Sequence, residues 1–216
     1  MRAIIIAGGQ AGDNGWKNWV RDGDWIIGAD GGAGRALAWG LVPHLVIGDM
    51  DSLADEDQAV LEQRGCRFVE HPRAKDETDL ELALRYAAGK GAQEIVVLGA
   101  LGGRLDHTLA NVLLLSLPVL DGVSVRIADG VGEAFLLRGG RAVTLRGSTG
   151  DLVSLLPLGG DARGVTTTGL AWVLEGDTLR FGFSRGVSNE MTSCEARIEV
   201  EEGLLLVVHG PSPESG

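Results

Sequence analysis

Six short, nearly continuous apolar runs are spaced through the first 128 residues, with polar or helix-patterned stretches between them. No other feature limits the fold so strongly. The runs are "AIII" (3–6), "WIIGA" (25–29), "HLVIG" (44–48), "CRFVE" (66–70), "EIVVLG" (94–99) and "VSVRIA" (123–128). Each is too short for a helix, and none needs the in–out alternation of a half-exposed strand, so they predict strands buried on both faces. Between the third and fourth runs, Ser52 with Asp55 predicts a helix start, a helix to about Arg64 and Gly65 at its end. Thr78 with Glu81 forms a capping box for a second helix, whose apolar positions are Leu80, Ala83, Leu84 and Ala87. A third is expected from Asp106 to Leu117, with Leu109, Val112, Leu113 and Leu117 along one face. Strand alternating with helix implies right-handed βαβ units, so the fold class is α/β: a mostly parallel, Rossmann-like sheet with helices on both faces.

Past residue 130 the pattern changes. "EAFLL", "RAVTL", "DLVSLLPL", "GVTTTG", "AWVL", "TLRFGF", "CEARIEV" and "LLLVVH" are short strand candidates, most separated by Gly or Asp turns, with no helical periodicity between them. Such spacing predicts a smaller all-β sandwich or barrel. A boundary near Asp129-Gly130 divides the chain into an α/β domain, 1–129, and a β domain, 130–216, with a disordered tail "PSPESG".

Glycine is over-represented, at 34 residues, and clusters in "AGGQAGDNG", "ADGGAG" and "GALGGR", where backbone approaching a ligand would need it. A net charge of −11 argues against nucleic acid or an anionic membrane as partner. The two cysteines, Cys66 and Cys194, are far apart and form no CxxC pair, as expected of reduced thiols in a cytoplasmic protein. "MRAIIIAGG" is too short for a signal-peptide core, and "TLANVLLLSLPVL" is too short and too polar to span a bilayer.

The polar motifs share one location. "AGGQ", "ADGGA", "GDMDS", "HPRAKDETD" and "GALGGRLDH" follow the first five runs in turn. All lie at the carboxyl ends of the expected strands, where open α/β sheets bind ligands. Within "GDMDS", a continuing strand would point Asp49 and Asp51 the same way, roughly 6.5–7 Å apart at Cα. Their repulsion calls for a cation. Ligands that are all oxygen suit Mg²⁺, which binds one or two carboxylates together with substrate phosphates. Asp79, from the next loop, is the natural third carboxylate, and Lys75 and Arg104 offer charge to phosphate oxygens. Singly, Asp30 also suits a turn, and Asp76, Thr78 and Asp106 suit helix caps. No GxxxxGK[ST] is present, and no GxGxxG follows the first strand, which excludes the two common nucleotide loops.

"ADGGA" (29–33), "GDMDS" (48–52), "KDETD" (75–79), "GGRLDH" (102–107), "TTTGLAW" (166–172) and "GVSNE" (186–190) together resemble, in order, the motifs of the thiamine pyrophosphokinase (thiamine diphosphokinase) family. The resemblance covers nearly the whole chain. It implies transfer of a diphosphate group from ATP to the hydroxyl of thiamine, with AMP leaving, and a homodimer. Carried over by position, it implies Mg²⁺ on Asp49, Asp51 and Asp79, which with Arg104 form the catalytic set. It places Asp30, Lys75, Asp76, Thr78, Arg104 and Asp106 on the ATP side. It places Ser188 and Asn189 against the thiamine pyrimidine, with Trp172 close by. A general base is left open among Asp106, His107 and the metal-bound carboxylates.

Overall fold

A computed structural model describes residues 1–9, 15–130 and 132–212. Residues 10–14 of the glycine-rich loop and 213–216 of the expected disordered tail lie outside the described residues. The chain forms two compact units, Met1–Gly130 and Val131–Gly216.

The first unit is built on six strands: β1 (Arg2–Ile6), β2 (Trp25–Ala29), β3 (Leu45–Gly48), β4 (Arg67–Glu70), β5 (Glu94–Leu98) and β6 (Ser124–Asp129). They lie side by side in the order β4-β3-β2-β1-β5-β6, and every pairing is parallel. Ile4, Ile5 and Ile6 each have no exposed surface, so both faces of β1 are covered. That is why these runs show no alternation. The helices are α1 (Gly32–Ala38), α2 (Asp55–Gln63), α3 (Asp79–Gly89) and α4 (Leu105–Leu113). α1 was not anticipated, although Ala33, Ala36 and Leu37 carry helical spacing. Ala36 packs on Ile4, Ile6 and Ile26. The approach is so close that a Cβ on Gly32 would lie 1.9 Å from the Ile6 carbonyl oxygen. α3 matches expectation: Thr78 Oγ1 accepts from Glu81 N at 3.3 Å, and Leu80, Ala83, Leu84 and Ala87 are its buried positions. Truncating Leu84 to Ala would remove roughly 2–5 kcal/mol.

Three local expectations need correction. α2 begins at Asp55, with Ala54 rather than Ser52 at its N-cap position. The Ser52 hydroxyl instead donates to Asp51 Oδ1 at 3.1 Å, which removes it from capping. β3 stops at Gly48, because Met50 takes φ +63° and turns the chain, so Asp49 and Asp51 do not continue a strand. The third helix ends at Leu113 and passes into 3-10 turns at Leu114–Ser116 and Pro118–Leu120. Pro118 cannot continue a helix and biases Leu117 toward extended backbone. The positions that its spacing marked as apolar divide: Leu109 and Leu113 are 56% and 53% exposed, as is neighbouring Leu105 at 72%, while Val112 and Leu117 are half-buried.

The second unit contains β7 (Gly132–Arg138), β8 (Arg141–Arg146), β9 (Leu152–Pro157), β10 (Ala162–Thr168), β11 (Asp177–Leu179), β12 (Asn189–Glu190), β13 (Glu195–Val200) and β14 (Leu204–Gly210). Two antiparallel layers, β12-β9-β14-β7 and β11-β10-β13-β8, are joined by one core. Phe135, Val153, Leu155, Leu205 and Val207 from the first layer share it with Leu145, Val165, Leu179 and Ile198 from the second. "AWVL" is irregular rather than a strand, and only the first two residues of "TLRFGF" enter β11. Trp172, Val173, Phe181 and Phe183 are largely exposed, and the single buried residue that each segment contributes, Leu174 or Leu179, is too little inward face to hold a longer strand in register. Cys66 and Cys194 are free thiols, and no helix among the described residues is long and apolar enough to cross a membrane.

Candidate active site

In the first unit β1 pairs with β2 on one side and β5 on the other, and the chain reverses its direction of progress at this point. The carboxyl ends at such a reversal leave a crevice. A cavity of about 500 Å³ occupies it, walled by Gly8, Gly9, Gly102 and Gly103 and bordered by Asp30, Thr78, Asp79, Arg104, His107 and Asn111.

Asp30, Asp49 and Asp79 converge beside this cavity, each offering a carboxylate oxygen within 4.8 Å of the others. Asp30 follows β2 with φ +46°, and its Oδ1 is buried without a hydrogen-bond partner. Asp79 opens α3, and Asp49 follows β3. Asp51 N donates to Asp49 Oδ1 at 3.2 Å, the first cause that holds the Asp49 carboxyl below its usual range. Lys75 Nζ reaches Asp79 Oδ1 at 3.0 Å and Asp49 Oδ2 at 3.4 Å. The contact with Asp79 is an ion pair but is not aligned as a hydrogen bond, so this oxygen too is left without a directed partner. Burial lowers the Lys75 ammonium, yet its two carboxylates outweigh that and leave it raised. Asp79 is raised despite Lys75, because burial comes first and the charges of Asp30 and Asp49 add to it. Three carboxylates against one ammonium leave excess negative charge.

The residues fit a hard cation. Two buried carboxylate oxygens lack directed donors, and the floor of the cluster is Gly48, where a Cβ would fall 3.0 Å from Asp79 Oδ1. The cluster differs from the expected ligand set in one member. Asp30, placed on the nucleotide side by its motif, stands where Asp51 was expected. Asp51 faces outward and pairs with exposed Arg73 at 3.3 Å, because the left-handed turn at Met50 rotates it off the line of β3.

Of the other expected residues, Thr78 borders the cavity and caps α3. Arg104 sits at the rim, 73% exposed, and pairs with Asp106 at 2.5 Å. That hydrogen bond raises Arg104 and lowers Asp106, but a pair so open to water contributes little to stability. Asp76 is exposed and does not border the cavity. Asn111 was missed: its Nδ2 donates to the Ala100 carbonyl at 2.7 Å and fixes the wall after β5. Only its place within "GGRLDHTLAN", on the cavity side of α4, could have marked it.

In the second unit Trp172 is 60% exposed, which excludes a core role. Asn189 is buried and makes three hydrogen bonds. Its Oδ1 accepts from Trp172 N at 3.0 Å and Glu190 N at 2.9 Å, and its Nδ2 donates to Trp172 O at 2.7 Å. Ser188 adopts φ +60°, and its N–H donates to Ser154 Oγ at 3.0 Å. Asp30, Met50 and Ser188 are the non-glycine residues with positive φ among those described, and each lies in a different motif loop. Strain held in this way concentrates at functional sites.

A parallel sheet with carboxylates and glycine walls at the carboxyl end of its switch point defines the α/β proteins that bind their ligands at that edge. Residues 16–127 match the family described as thiamin pyrophosphokinase, catalytic domain. Residues 142–205 match thiamin pyrophosphokinase, vitamin B1 binding domain. The chain belongs to the thiamin pyrophosphokinase family. It is 28% identical to thiamine pyrophosphokinase of Bacillus subtilis over 84% of this chain and 85% of that one. It is also 28% identical to thiamine pyrophosphokinase 1 of Oryza sativa, over 77% of this chain and 66% of the other. The crystal structure of the Bacillus subtilis enzyme superposes with a TM-score of 0.88 at 25% identity, covering 98% of this chain and 100% of that one. That of Geobacillus thermodenitrificans thiamin pyrophosphokinase does so with a TM-score of 0.85 at 27% identity, covering 99% of each.

Proposed function

We propose that the chain is a thiamine diphosphokinase that uses ATP and Mg²⁺. The reaction joins the thiamine hydroxyl oxygen to the β-phosphorus of ATP and breaks the bridge from that phosphorus to the α-phosphate. AMP leaves, and the hydroxyl proton is released. The observation that carries this reading is the convergence of Asp30, Asp49 and Asp79 around Lys75 beside a glycine-walled cavity.

Asp49 and Asp79, with Asp30, would hold Mg²⁺, and Asp51 would join them on releasing Arg73. When bound, the ion supplies neutralisation of the polyphosphate charge and polarisation of its oxygens. Lys75 keeps Asp49 and Asp79 ionised and oriented between turnovers. Gly8, Gly9, Gly102 and Gly103 let main-chain groups approach phosphate oxygens where side chains would obstruct them. Arg104 exchanges Asp106 for a phosphate oxygen at the rim, which its planar fork suits. Asp106, His107 and the clustered carboxylates are the candidates to take the hydroxyl proton. Thr78 borders the ATP side, with Asp106 at the rim beside Arg104. In the second unit Trp172 offers its exposed ring to the fixed positive charge of thiamine. Asn189 holds that ring by its backbone, and Ser188 presents its polar groups beside it. The protein acts in the cytoplasm as a homodimer.

Incubation with thiamine, ATP and Mg²⁺, followed by ³¹P NMR of the products, tests the reading. Thiamine diphosphate with AMP is expected. Thiamine monophosphate with ADP would mean that the γ-phosphorus is attacked, and no consumption of thiamine would overturn the function.

A further inference from the structure

At one end of the second unit's core a histidine lies between two carboxylates. His209, on β14, is only 9% exposed. Its Nδ1 lies 3.6 Å from Glu133 Oε1 on β7, its cross-strand neighbour. Its Nε2 lies 3.6 Å from Asp151 Oδ2 and has no hydrogen-bond partner. Among the described residues these are the charged groups facing the ring, while the segment after β12 contributes the Met191 sulfur, which does not titrate. The space is tight, since a Cβ on Gly147 would lie 2.9 Å from Nε2 and closer still to Asp151.

Both ring nitrogens therefore face acceptors. Neutral imidazole has one N–H and must turn a lone pair toward the other carboxylate, whereas imidazolium has a donor for each. Asp151 does more than face the histidine. Its Oδ2 accepts from Ser148 N at 2.7 Å and closes the turn that leads into β9. That turn holds Met191 on both sides, through Gly150 N to Met191 O at 2.8 Å and Met191 N to Asp151 O at 2.8 Å. Met191 in turn bridges Leu170, and Ala171 N donates to Glu190 O at 2.9 Å. Asn189, two residues before Met191, clamps Trp172. Across the layer, Glu133, His209, Val153 and Asn189 stand in one register row.

The geometry points to His209 as a positioning residue for the thiamine side of the reaction: in its protonated form it draws Glu133 and Asp151 together, and through the Gly147–Asp151 turn it fixes the Asn189–Met191 segment that holds Trp172. This rests on the assignment of Trp172 to thiamine. Deprotonation releases one carboxylate and loosens the turn. The KM for thiamine then rises with pH, while the KM for ATP, bound in the first unit, does not follow it.

The test measures KM for thiamine, KM for ATP and kcat from about pH 5 to 8, the range in which histidine switches work, for the parent, His209→Gln and Glu133→Gln. In His209→Gln the thiamine KM is expected to rise about tenfold at the acid end, as expected when a charge-assisted contact is lost. It should also lose its pH dependence, with kcat and the ATP KM within about twofold of the parent. Glu133→Gln, which leaves Asp151 to the ring, should shift the same profile with a smaller change in KM. A thiamine KM that keeps the parent's pH profile in both variants overturns the inference, as does a rise in both KM values together. Failure of the parent itself to consume thiamine would overturn the functional reading and this inference with it. Should His209→Gln not fold, as seen by circular dichroism, Glu133→Gln alone decides the outcome.

Discussion

Replacing Asp30 by Asn should stabilise the metal-free protein while it destroys activity. Asp30 is 6% exposed, and it meets Asp49 and Asp79 within 4.8 Å. At that separation two unit charges repel by about 3 kcal/mol at an effective dielectric constant of 20, so relief from Asp79 alone is of this size. Asp49 adds in the same direction. Unlike Asp79, Asp30 has no ion pair to lose in the exchange. Asn also tolerates the left-handed backbone that φ +46° imposes. Against this, a buried amide left short of partners costs about 1–2 kcal/mol. Counting Asp79 alone, the net gain is about 1–2 kcal/mol, or a rise in melting temperature of about 2–8 °C for a chain of this size. Thermal unfolding followed by circular dichroism in EDTA measures it, and repetition with Mg²⁺ provides the contrast. The parent should be stabilised by Mg²⁺ through mass action, and Asp30→Asn much less. An Asp30→Asn protein that melts below the parent in EDTA, or gains as much from Mg²⁺, would refute the reasoning that repulsion is stored at this cluster.

The remaining expectations concern the same two sites. Lys75→Met leaves the three carboxylates without their cation and should lower kcat/KM by about 10²–10³-fold, as for loss of one positioned donor, measured by AMP release. Because burial, with the charges of Asp30 and Asp49, raises Asp79, the folded state holds this proton at a higher pH than the unfolded chain. The metal-free protein is therefore more stable below the unfolded pKa and loses that increment as pH rises through the folded one. Mg²⁺ affinity should move the opposite way, weakening on acidification sooner than for an ordinary carboxylate, since binding displaces the proton. Isothermal titration at several pH values, with Asp79→Asn as the control, checks both the sign and the assignment. Arg73→Ala frees Asp51 and should lower the Mg²⁺ concentration for half-maximal activity, whereas Asp51→Asn should abolish activity without altering the circular dichroism spectrum. Asn189→Ala should raise the thiamine KM about as much as Trp172→Ala, some 3–30-fold for a lost cation–π surface, with the ATP KM unchanged. If Asn189→Ala leaves the thiamine KM alone, the clamp on Trp172 has no part in substrate binding.

The parallel sheet was legible because doubly buried strands must be short and apolar, and β1, β2, β3 and β5 obey this, while β6 alternates, with Ser124 exposed and Arg126 half-buried beside Val125 and Ile127. β4 was legible only from its place in the alternation, since Arg67 and Glu70 are exposed at the sheet edge. α3 was legible because Thr78 and Glu81 fix its start chemically. α1 was hidden by its glycines, which weaken helical propensity yet are required where Gly32 meets the Ile6 carbonyl. The apolar stripe of α4 was visible but its direction was not, because periodicity marks a face and not what lies against it. At the site, the motifs marked the loops whose carboxylates converge. Which carboxylates meet was decided by Met50, whose left-handed backbone at a non-glycine residue no spacing rule announces. The service of Asn189 to the backbone of Trp172 was not legible, since a buried amide serving a neighbour's backbone has the same sequence signature as one serving a ligand.

The left-handed conformations of Met50 and Ser188 bear on how this protein would respond to selection for heat resistance. Each conformation costs about 1–2 kcal/mol in a residue with a side chain, and glycine would relieve it. Screens that score only survival of the fold would therefore drift toward glycine at both loops. In doing so they would trade fixed loop geometry, and with it the aim of Asp49, Asp51 and Trp172, for thermal tolerance.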